Sequence, residues 1–212
     1  DAGFDPATAD DWTGSGFSPQ QAADWHSAEF DHLEAAQWRE LAEDPSEARG
    51  WVDAGFLLDQ ASQWISAFDV AEASDWRAAS FTPDEAQHLH AAQLAPTAAR
   101  EQFDPWVKEG IKDVSAFLHW RSDFEPQDAA RWIGHFSADE AKVWRDLELE
   151  PDVAQEWVKA GFSTALAPLA AALHALGIRP AEGAPLAADP PPVDLDTLSD
   201  TPQQEQRRLL AR

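Results

Sequence analysis

The chain contains no cysteine, no methionine and no tyrosine in 212 residues. The missing thiol excludes a disulfide frame and thiolate chemistry, and leaves the redox compartment open. Positive charge is scarce as well: 15 Lys and Arg face 39 Asp and Glu, a formal net charge of −24. Dividing the chain after residue 178 puts 33 acids and 11 bases, or −22, on the first part. Such a field repels nucleic-acid phosphate and anionic lipid and favours basic partners. The sequence has no apolar run of about 18 residues and opens on no leader pattern, so a soluble, cytoplasmic protein is expected.

What is present in excess is tryptophan. Eleven occur, at 12, 25, 38, 51, 64, 76, 106, 120, 132, 144 and 157, spaced 12 to 14 apart except for one gap of 30. The most regular interval runs from a turn aromatic to the next Trp: Phe4 to Trp12, Phe17 to Trp25, Phe30 to Trp38, Phe56 to Trp64, Phe68 to Trp76, Phe124 to Trp132 and Phe136 to Trp144 are all eight. Length varies in the turn after Trp, where Gly16, Gly55 or Gly161 precedes the Phe of longer copies.

The eight-residue interval reads as a short helix. Asp5, Ser18, Asp31, Asp69, Thr82 and Ser137 follow the Phe as N-caps, and Pro6, Pro19, Pro83, Pro126 and Pro151 suit the first helical position. Ser18 with Gln21, Thr82 with Glu85 and Ser137 with Glu140 have capping-box spacing. Ala recurs three residues before Trp, so each unit carries small and large residues on one face. Helices of two to three turns do not persist alone in water and must be held by neighbours. The fold class expected is therefore all-α, a tandem repeat of 12–13-residue units resembling an α-solenoid, over residues 1–178. The string Gly55-Phe56-Leu57-Leu58-Asp59-Gln60-Ala61 is similar to the Gly-Phe loop of ubiquitin-associated domains, a resemblance of seven residues to single three-helix modules without this repeat.

Residues 179–199, rich in proline, read as an extended linker, and 200–212 as a tail with a short helix entered at Thr201-Pro202. Asp1-Ala2-Gly3-Phe4 resembles the end of a preceding unit, as if the chain were cut from a longer array. Regularity fails once. Counting in thirteens from Trp76 reaches Leu89 and Gln102 and misses Trp106 by four, so the array is expected to bend or change spacing across 94–119, with Trp106 less buried than Trp51 or Trp132 and available to a partner.

No catalytic or cofactor pattern is visible. His88 and His90 point apart on a helix, and Glu85 with His88 makes at most a partial metal site; phosphate loops, EF-hands and nucleophile elbows are absent. The residue after Trp varies in kind, with His26, Arg39, Arg77, Arg121 and Arg145 alternating with aliphatics. These residues and Trp106 form the candidate recognition surface, set against the plainer reading of arginines paired with acids on an exposed face. The expected function is a non-enzymatic scaffold for a protein or peptide, a basic one by charge, without metal or cofactor. The alternatives are a regulatory or targeting domain of a larger enzyme, an acidic mimic of nucleic acid, or a carbohydrate platform of stacked Trp rings.

Overall fold

A computed structural model describes residues 6–190. Among them there is no strand, only one isolated bridge between Ile133 and Phe136. The chain divides into two compact units, Asp1–Gln102 and Phe103–Arg212. The first holds α1 (Pro6–Gly14), α2 (Pro19–Ser27), α3 (His32–Trp38), α4 (Pro45–Asp53), α5 (Leu58–Trp64), α6 (Val70–Ala78) and α7 (Pro83–Ala91), and α8 (Pro96–Lys108) runs across the division. The second holds α9 (Val114–Trp120), α10 (Pro126–Trp132), α11 (Ala138–Asp146), α12 (Pro151–Lys159), a 3-10 turn (Thr164–Leu166), α13 (Ala167–Ala175) and α14 (Pro180–Ala188). Short helices packed in tandem make up the fold of the described residues.

Seven of the helices start at a side-chain cap. Ser18, Asp31, Asp69, Thr82 and Ser137 accept backbone N–H bonds from the first turn, and Gln21, Glu34, Glu72, Glu85 and Glu140 return a bond to the cap amide. These reciprocal pairs satisfy donors that a helix start otherwise leaves open. In α4 and α9 the caps are Asp44 and Asp113.

Each longer unit also ends in one way. The amide of Phe17 reaches the carbonyl of Trp12 at 3.1 Å, while Gly16 N donates to Thr13 O at 2.9 Å. This pairing is the Schellman motif, which requires a left-handed residue just past the helix. That residue is Gly16, Gly55, Gly110, Gly161 and Gly177 in five copies, at φ from 75° to 99°, and Glu29, Ser80, Gln93 and Glu148 in four others, at φ from 60° to 63°. The motif brings its two apolar ends together, and here they are the Trp and the Phe: Trp12 meets Phe17 edge-on at 5.1 Å, Trp51 meets Phe56 at 5.0 Å and Trp157 meets Phe162 at 4.9 Å. The shorter units, whose helices have seven residues, close one residue sooner, as Phe68 N onto Trp64 O at 3.0 Å.

The core follows from these two ends. All eleven Trp are at most 6% exposed, and Ala35, Ala48, Ala61, Ala73, Ala86, Ala129, Ala141 and Ala154 are fully buried. The Phe slot admits other residues: Ala42 bonds back to Trp38, Leu94 to Leu89 and Ile111 to Trp106 through the same turn amide.

Two expectations need correction. Trp106 is 4% exposed against 1% for Trp51 and Trp132, so it is core as they are. The four-residue offset is one helical turn: α8 has 13 residues, and Ala99, Phe103 and Trp106 are buried at spacings that share a face. Spacing thus changes by lengthening one helix, with Pro105 inside it. The second correction concerns the linker. Pro180 starts α14, which continues through Pro185 to Ala188. Proline at the first helical position promotes a helix start, so residues 180–188 of the expected linker are helical. The rest of the expected linker, 191–199, and the tail helix after Thr201 lie outside the described residues.

Candidate functional site

The position after Trp does something local pattern did not reveal. Arg39 lies over the Phe17 ring at 4.3 Å and donates to Gly16 O at 3.3 Å. Arg77 lies over Phe56 at 3.7 Å and donates to Gly55 O at 3.1 Å and Ala54 O at 2.5 Å. Arg145 lies over Phe124 at 4.2 Å and donates to Asp123 O. Each guanidinium therefore covers the turn aromatic two units back and binds carbonyls of the turn that follows the helix there. The same interval carries His90, which follows Leu89 and meets Phe68 edge-on at 5.5 Å. Arg121 departs from the rule and lies 5.4 Å from Phe117 of its own helix. His26 is exposed, and its counterpart ring, Phe4, lies outside the described residues.

Arg39, Arg77 and Arg145 are each bound into a turn, and Trp106 packs beside Phe117 at 5.6 Å in the second unit. No Trp offers an open ring face. Among the described residues no three His, Cys, Asp or Glu converge to hold a metal. The Glu85 carboxylate is bonded to the Thr82 amide and hydroxyl at 2.8 Å each.

What the sequence reading missed is how the positive charge is used. Residues 1–102 contain 20 acids and four bases, a balance of −16, and none of the four is lysine. Arg39 and Arg77 are bound as described, Arg49 pairs with Asp53 at 2.8 Å and Glu29 at 3.4 Å, and Arg100 lies over Phe81 at 4.9 Å. The signal was available: Arg39, Arg77 and Arg145 stand 22, 21 and 21 residues after their Phe. Some carboxylates are themselves held in the charged form. The Ser137 amide and hydroxyl hold Glu140 below its ordinary value, and Ser46, first through its hydroxyl and then its amide, does the same for Asp44.

No protein-family model, curated protein or solved structure matches the chain.

Proposed function

We propose that the chain is a non-enzymatic α-solenoid-like repeat that binds a basic protein or peptide through the surface of its first unit. The observation that carries this reading is the inward use of positive charge: the four arginines of residues 1–102 are all engaged with the chain's own rings, carbonyls or carboxylates, against 20 acids. A surface so biased steers cationic partners and rejects polyanions. Apolar anchorage is also present in this unit. Leu33 is 60% and Leu57 66% exposed, each close in sequence to acids, Asp31 and Glu34 for one and Asp59 for the other.

The test is anisotropy titration of a labelled Lys/Arg-rich amphipathic peptide against its charge-reversed version. At least tenfold preference for the basic peptide, weakened by Leu57→Ser and only partly by about 0.5 M salt, supports recognition that is both electrostatic and apolar. Equal affinity for the two peptides overturns it. Complete loss of binding in salt points instead to simple polyanion mimicry.

A further inference from the structure

Helix α14 fits the repeat frame position by position. The Ile178 amide bonds to Leu173 O at 2.9 Å, as Phe162 N does to Trp157 O. Arg179 takes the cap, Pro180 the first helical position, and Glu182 returns the capping bond to Arg179 N at 3.1 Å. Gly183 then stands in the Ala slot and Leu186 in the Trp slot, five and eight residues after Ile178. The unit lies against the preceding turns: a Cβ on Gly183 would meet Trp157 Cζ3 at 2.8 Å and Leu173 Cδ1 at 3.2 Å, and the Ala187 side chain lies beside Gly161. Trp157 and Leu173 are 0% exposed.

The plug is poorly made for its place. Its nine residues include Gly183 and Pro185, the two poorest helix-forming residue types, and its cap residue, Arg179, offers no side-chain acceptor to the first-turn amides, bonding instead to Glu182. Leu186 is only half-buried, and the Trp157 indole N–H is buried without an acceptor. The face is thus shaped for a helix with a small residue at its centre, and a weak helix fills it.

We propose that α14 is a displaceable plug, occupying in cis a docking face on Trp157, Gly161 and Leu173 for a partner helix of the same chemistry, one with glycine in the slot of Gly183 and stronger helix formers around it. Attachment to the same chain gives α14 an effective concentration of about millimolar, so an outside helix competes only by being better formed. This surface belongs to the second unit and does not depend on the basic-partner reading.

The test uses the full chain and a labelled peptide of residues 178–190 carrying Pro185→Ala. Gly183→Val in the protein puts a branched side chain where even a Cβ does not fit and undocks α14. The expected result is peptide affinity at least tenfold higher for that variant than for the natural chain, with no binding of a peptide that itself carries Gly183→Val. Unchanged affinity in a variant that keeps its helical circular dichroism and tryptophan emission overturns the proposal. So does cooperative unfolding of the variant, which would make α14 an integral part of the core. Binding of the basic peptide, measured on the same samples, reports the other reading separately.

Discussion

Arg77 and Phe56 stand 21 residues apart, yet the guanidinium carbon lies 3.7 Å from the ring centroid while its nitrogens hold the carbonyls of Ala54 and Gly55, just past the end of α4. Cation–ring attraction and charge-assisted bonds act here on one side chain. Arg77→Ala is expected to cost about 1–2 kcal/mol, more than a solvated surface arginine. Arg77→Lys should recover less than half of it, because an ammonium cannot stack and fork at once. Urea denaturation of the three proteins decides; a loss below about 0.3 kcal/mol for Arg77→Ala would mean that the stack contributes nothing.

Trp51 and Trp106 should behave alike. Each is expected to cost about 3–5 kcal/mol on truncation to Ala, since each fills core space in a helix too short to stand alone. Equilibrium unfolding in which Trp106→Ala is nearly silent while Trp51→Ala is not would overturn the burial of the residue outside the regular count.

The left-handed turn residues allow a prediction with a sign. Ser80 and Gln93 adopt φ of 62° and 60°, a conformation that costs a residue with a Cβ and is open to glycine. Ser80→Gly and Gln93→Gly are each expected to stabilise by about 0.5–1 kcal/mol, and Gly55→Ala to destabilise by about 1 kcal/mol or more. Thermal melts in which the glycine variants lose stability would contradict the turn assignment.

Glu140 supplies a pH dependence. Bonds from the Ser137 amide and hydroxyl hold its folded pKa below the ordinary value of 4.5. A depressed carboxylate contributes stability that is present above its unfolded pKa and lost as pH falls through its folded one. Carbon-detected NMR titration should place Glu140 below a free glutamate, and Ser137→Ala should move it back toward 4.5. The same substitution removes a cap bond and should cost about 1 kcal/mol near neutral pH. An unmoved titration in Ser137→Ala would show that the cap does not set the charge state.

Much of this architecture could be read from spacing, because caps, prolines and the Trp–Phe pair all act within one unit. Ser18, Thr82 and Ser137 announce their helices from three residues away, and the buried indole follows from its recurrence beside Ala. Position alone could not identify Ala42 or Ile111 as stand-ins for Phe, since what qualifies them is a turn amide bonding four or five residues back. Nor could composition separate Pro180, which begins a helix, from the prolines around it. The roles of Arg39, Arg77 and Arg145 are not visible in local pattern, which ends at the unit, whereas their partners lie two units away. The candidate surface was therefore the least legible part: it depends on which charges the fold itself uses.

The lengthening of α8 by one turn bears on how such a chain can gain or lose residues. A single residue added inside a helix rotates everything after it by about 100°, taking the next indole off the core, whereas four residues add about one turn and return it to the same face. A single residue is absorbed only between Trp and Phe, where Schellman and shorter closures differ by that amount. Insertion scanning should thus find two tolerated sizes at two kinds of place: one residue in the turns, and four within the helices.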